Sequence, residues 1–265
     1  MRCKLCSKVI GHPSKKTKSL QVCGVCNSNL AANNNRFTHL TCPDIPTIKQ
    51  VNANGKRRYE TPTGRLVSIT TIIHHFTPDG IKQWRENMGE DVANYVMRTS
   101  SNRGTRVHKL VDSFLYNESI DNMTREYGVT AAGLFNLMRP ALEKINNIVT
   151  IEKAIYSADP AIMVAGTTDC VAEYEGILSI IDFKTSSKMR EQDTIDGWCI
   201  QATFYALAWE CLTGQKISQL VIICATEDGQ TEVFKSEPSE YVERLKKLIA
   251  DYRADIGSSN SNDSI

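Results

Sequence analysis

Hydrophobic positions along this chain change period several times, and each change predicts an element. Over residues 82–116 apolar residues recur at helical spacing, with Val107, Leu110, Val111, Phe114 and Leu115 on one face. Two amphipathic helices are expected there, broken near Ser100-Ser101-Asn102-Arg103-Gly104. Helices are also expected over 130–145, 196–212 and 239–254. Residues 59–73 read as two β segments around Thr61-Pro62-Thr63-Gly64. Further strand patterns occupy 149–156, 171–174 and 177–183, and the runs 220–225 and 231–234 pair around Asp228-Gly229. Helices before and after a central block of strands predict an α/β domain with a central mixed sheet flanked by helices. That pattern alone carries no function.

Composition refines the organisation. At 265 residues, with 41% hydrophobic and 23% charged, the chain is long enough for one large domain or one domain with an appendage, and fibrous and repeat classes are excluded. No apolar run is long enough to span a bilayer and no apolar leader core opens the chain, so no membrane partner and a cytoplasmic location are expected. The net charge of +1 hides an asymmetry: residues 1–58 hold 11 of the 31 Lys and Arg with Asp44 as their one acid, about +10, leaving about −9 on the rest. A basic head on an acidic body points to a polyanion. The expected division is a basic four-cysteine module over 1–45, a linker over 46–58, a main domain over 59–256 and a disordered Ser- and Asn-rich tail over 257–265.

Two CxxC pairs stand in the head, Cys3/Cys6 and Cys23/Cys26, separated by the spacing of a four-thiolate zinc site. The reading is a structural Zn²⁺ site in a small zinc-ribbon-like module. A reduced flexible tail, or a site that uses His12, His39 or Cys42 as substitute ligands, stays open. Lys15 and Lys16 within it are candidate phosphate contacts.

The stretch from Ala165 to Lys184 carries chemistry. If Glu175-Gly176 is a two-residue hairpin turn, Tyr174 pairs with Ile177 and Asp169 lies opposite Asp182. Opposed carboxylates sit close enough to share one hard divalent cation, and the period of two puts Lys184 on the same face as Asp182. Mg²⁺ or Mn²⁺ there can polarise a phosphate and acidify a bound water, with the lysine orienting or deprotonating that water.

Gly166-Thr167-Thr168-Asp169 followed by Asp182-Phe183-Lys184 resembles the catalytic signature of the PD-(D/E)XK nuclease superfamily. Gly104-Thr105-Arg106-Val107-His108 resembles the GxxxH motif of its RecB-like exonuclease branch, and Gln201-Ala202-Thr203-Phe204-Tyr205 resembles the QxxxY motif. Segments 68–72 and 101–105 resemble the mitochondrial genome maintenance exonuclease group and its bacteriophage relatives. The resemblance, over about residues 57–250, implies a restriction-endonuclease-like core. It makes Asp169, Asp182 and His108 ligands of the catalytic metal and Lys184 the catalytic lysine. Glu152 falls where some relatives carry a further acid, and equally reads as a surface acid. Gln201 and Tyr205 would brace the site or touch nucleic acid, and Ser68, Thr70 and Arg103 would contact DNA. Iron–sulfur clusters occur in some relatives, but Cys170, Cys199, Cys211 and Cys224 stand singly in apolar stretches and read as core cysteines.

The implied activity is a metal-dependent exonuclease on single-stranded DNA or free ends, with a recombinase or single-strand-binding protein as possible partner. Phage origin would place it in host cytoplasm. A structure-specific endonuclease and a non-catalytic, zinc-containing DNA-binding accessory protein are the alternatives.

Overall fold

A computed structural model of the chain describes residues 36–262, apart from 54–55 and 77–78. Cys3, Cys6, Cys23, Cys26, His12, Lys15 and Lys16 lie outside the described residues.

The first element is a small antiparallel sheet of β1 (Lys49–Ala53), β2 (Lys56–Thr61) and β3 (Gly64–Val67). Helices α1 (Ile69–His75), α2 (Asp79–Met88), α3 (Glu90–Leu115), α4 (Met123–Tyr127) and α5 (Val129–Leu142) follow. The main sheet is built from β4 (Ile145–Tyr156), β5 (Ala165–Tyr174), β6 (Ile177–Ser186), β7 (Gln219–Thr226) and β8 (Thr231–Ser236), in that spatial order. Helix α6 (Gln192–Thr213) crosses from β6 to β7, and α7 (Val242–Asn262) closes the chain.

All pairings in the main sheet are antiparallel except β6 with β7. A parallel pair needs a long crossover, which α6 supplies. The inner strands are buried on both faces, because helices cover each side. On one face Ile180, Leu220 and Ile222 pack with Phe204, Ala208 and Trp209 of α6 and Leu245 and Ile249 of α7. On the other, Ile181, Phe183, Val221 and Ile223 meet Val107, Leu110 and Phe114 of α3 and Phe135 and Met138 of α5. The expected mixed sheet between helical layers is therefore present.

Several expectations are corrected. The second β segment stops at Val67 and the chain turns into α1, because Ile69 and Ile72, three residues apart, bury one helical face. The helix break falls at Gly89, with φ of 79°, while α3 runs unbroken through Ser100–Gly104. Its anchor is the apolar face from Val107 to Leu115, which holds the polar turn before it in register. The stretch 46–58 contributes β1 and part of β2, and α7 extends into the expected tail as far as Asn262. The end of the 1–45 segment also packs on the main body. Phe37 lies edge-on to Phe114 with its backbone N–H and C=O both bonded to the Asn117 amide, at 3.0 Å each. Cys170, Cys199 and Cys224 are buried, whereas Cys211 is exposed. His39 Nε2 lies 2.8 Å from the Leu115 carbonyl.

Candidate active site

Three acids stand in a row across three neighbouring strands. The β5–β6 turn is Glu175-Gly176, with φ of 51° and 83°. Two positive φ values are what a type I′ hairpin turn requires. The register runs from Tyr174↔Ile177 to Cys170↔Ile181, and its next step sets Asp169 against Asp182. On the other flank β4 pairs Ile151 with Cys170 and Lys153 with Thr168, so Glu152 faces Asp169. Glu152 has φ of 49°, a costly conformation for a residue with a side chain and one that clusters at functional sites.

Beyond Cys170↔Ile181 the ladder gives way to side chains. Phe183 N–H donates to Asp169 Oδ2 at 2.9 Å, and His108 Nε2 donates to the Phe183 carbonyl at 2.8 Å. That bond puts the proton on Nε2 and turns Nδ1 toward the acids, 3.8 Å from Glu152 Oε1 and 3.7 Å from Asp169 Oδ2. Burial opposes charge on this imidazole, but Asp169 and the Glu152 carboxylate outweigh it and raise its pKa to about 9. The ligand atoms of His108, Glu152 and Asp169 all lie within 4.8 Å of one another.

Asp182 is nearly fully buried and pairs with Lys184, Nζ to Oδ2 at 2.6 Å. Burial pushes the Asp182 carboxyl up, against the pull of the Lys184 ammonium. Burial disfavours the ammonium too, yet Asp182 and Asp169 raise Lys184 above its usual value, so it is a cation. Gln201, on α6, ties the pair together. Its oxygen accepts from Lys184 at 3.4 Å, and its amide donates to Asp182 Oδ1 at 3.4 Å and to the Tyr205 hydroxyl at 3.0 Å.

The geometry separates the expected nucleic-acid contacts. Tyr205 is buried, so of its two expected roles its placement allows bracing and not contact with nucleic acid. Ser68 is also buried, 2.7 Å from Thr70 Oγ1, and Thr70 is the partly exposed member of that pair. Arg103 is sequestered by Glu227 at 2.7 Å, its side chain 11% exposed. Asp112, one turn beyond His108, also borders the site, and burial first and then Glu152 push its pKa up to about 7. Its spacing from His108 was visible in the sequence, but that spacing is common on any helix.

The sequence profile of the PD-(D/E)XK nuclease superfamily matches residues 121–260, more than half of the chain. The chain is 31% identical over 132 residues to mitochondrial genome maintenance exonuclease 1 of Mus musculus, covering 46% of this chain and 38% of that protein. The same-named protein of Xenopus tropicalis is 27% identical over 150 residues, 52% of this chain and 42% of that one, and the Homo sapiens protein 28% over 123 residues, 44% and 35%. The matched region thus spans less than half the length of these relatives.

Proposed function

The chain belongs to the PD-(D/E)XK nuclease superfamily, and from that premise we propose that it is a metal-dependent DNA exonuclease acting on single strands or free ends. The observation that carries this reading is the row Glu152, Asp169, Asp182 across β4, β5 and β6, with His108 at one end and Lys184 at the other. The exonuclease names of the relatives support the end-directed form of the activity.

The donor set fits a hard divalent cation, Mg²⁺ or Mn²⁺. Carboxylates converge on the Nδ1 of a histidine whose other nitrogen is already committed, and oxygen-rich sites of this kind suit such ions. Asp169, Asp182, Glu152 and His108 would hold it. Bound there, the ion would polarise the scissile phosphate and acidify a water. Lys184 contributes a fixed positive charge that orients the attacking water and stabilises negative charge as it develops on the phosphate oxygens. Gln201 fixes the Lys184–Asp182 pair, and the His108–Phe183 bond fixes the histidine. The basic four-cysteine module of residues 1–45 is read as a Zn²⁺-anchored, DNA-gripping appendage, and metal analysis of protein purified without chelator tests it.

The test uses end-labelled linear and closed circular single-stranded DNA, with Mg²⁺ or EDTA, beside an Asp182→Ala variant. Metal-dependent loss of the linear substrate alone, absent in the variant, is expected. Cutting of the circle would establish an endonuclease, and an intact linear strand in every lane would overturn the nuclease reading.

A further inference from the structure

Arg57 and His74 stand on elements that contribute nothing to the acidic row, β2 and α1, both with exposed side chains. Alternate residues of a strand share a face, so Arg57 lies on the same face of β2 as Tyr59. The Tyr59 hydroxyl is 3.0 Å from Thr167 Oγ1, on β5 two residues before Asp169. That face of β2 therefore looks toward the catalytic strand, and the Arg57 side chain on it is exposed. Its backbone is pinned to the start of α1: the Arg57 carbonyl accepts from Ser68 N–H at 3.2 Å and from Thr71 Oγ1 at 3.4 Å.

Helix α1 is held against the site from below. Ile69 and Ile72 are buried, and the Ile69 side chain packs with Tyr205 around Gly166. Thr70 and His74, one turn apart, occupy its other face. His74 keeps an open edge to solvent. Partial burial, then the positive charges of Lys184 and Arg57, hold its pKa below the usual histidine value. Those positive charges oppose protonation of the imidazole in the free protein, and an anion placed among the groups relieves that opposition.

We propose that Arg57, His74 and the Thr70 hydroxyl form a phosphate subsite that holds a backbone phosphodiester of the substrate strand next to the bond presented to Lys184. This deepens the exonuclease reading and rests on it. Arg57 supplies a planar fork suited to two phosphate oxygens, and His74 supplies a donor that gains charge as the phosphate arrives. The contact is to the backbone, so it positions the strand without reading bases.

The experiment measures binding of a labelled single-stranded oligonucleotide to the full chain by fluorescence anisotropy in EDTA, over a salt series. Wild type is compared with Arg57→Ala, His74→Ala, the double variant, Arg57→Lys and Lys144→Ala. Lys144 bonds Glu175 at the β5–β6 turn, the opposite end of the sheet, and removes the same charge. The double variant is expected to weaken binding about tenfold and to flatten the salt slope by about 0.7 per lost phosphate contact. Arg57→Lys should retain part of the affinity, and Lys144→Ala should bind as wild type. Melting curves matching wild type separate this loss from misfolding. A double variant that binds with wild-type affinity and slope, in a protein that does cut DNA, overturns the subsite alone. An equal loss in Lys144→Ala also overturns it, by showing only bulk charge at work. Wild-type protein that neither binds nor cuts DNA overturns both readings.

Discussion

Single residues decide how closely the two walls of the site approach. A Cβ added at Gly166 would stand 2.8 Å from Tyr205 Cε1 and 3.1 Å from Ile69 Cγ2. Tyr205 is the ring whose hydroxyl accepts from Gln201. Gly166→Ala should therefore destabilise by about 1–3 kcal/mol, as overpacking does, and loosen the brace on Lys184. Chemical denaturation checks the first effect, and a wild-type midpoint would show that Tyr205 can yield. Lys184→Ala acts on chemistry instead: kcat should fall by about 10²–10⁴ while oligonucleotide binding persists, and retained cleavage in single-turnover assays would remove its assigned role. Asp169, Asp182 and Lys184 were legible in the sequence because a two-residue turn makes the hairpin register a matter of counting. Glu152 was half-legible, since its opposition to Asp169 depends on a bulged strand and a positive φ that no local pattern announces. Arg57 and His74 were not legible, because only tertiary packing sets β2 and α1 beside β5.

At the level of elements, the sequence misplaced the break in the long helix for a physical reason. Ser, Asn and Gly favour turns by offering local alternatives to helical hydrogen bonds, but Gly104 sits with ordinary backbone where a Cβ would meet only Thr185 Oγ1 at 3.7 Å. Packing of the following apolar face overrides the weak propensity. The turn closing β5 and β6 is secured differently. Glu175 accepts from Lys144 at 2.8 Å and also pairs with Lys235, joining the start of β4 and the edge strand β8 to the hairpin. Those two hydrogen bonds lower its pKa to about 2. A depressed carboxyl contributes stability above its unfolded value, about 4.3, and loses it as pH falls toward 2. Glu175→Gln should thus lower the denaturation midpoint at pH 7, with the gap to wild type narrowing from about pH 4.3 downward. A gap constant from pH 7 to pH 3 would show that the clasp is not ionic.

Over the whole molecule, the segment 36–48 is packed on the main body and on the β1–β3 sheet rather than standing apart from them. Phe37, Ile45 and Ile48 are all buried there. Among the described residues no helix is long and apolar enough to cross a membrane. The main sheet, in turn, carries a concentrated electrostatic cost where Glu152 of β4 and Asp169 of β5 converge on His108 and the buried Asp182 of β6 pairs with Lys184. A divalent cation that binds the folded site and not the unfolded chain stabilises by mass action, about 2.7 kcal/mol at a hundredfold excess over its Kd. For a body of this size each kcal/mol moves Tm by about 2–4 °C. Adding Mg²⁺ or Mn²⁺ to EDTA-treated protein should therefore raise Tm by several degrees, reversibly, and Asp169→Asn should abolish most of the rise. The same rise in Asp169→Asn would place the ion elsewhere, and no rise at millimolar metal would mean that His108 and Lys184 already satisfy the acids and that the ion enters only with the DNA phosphate.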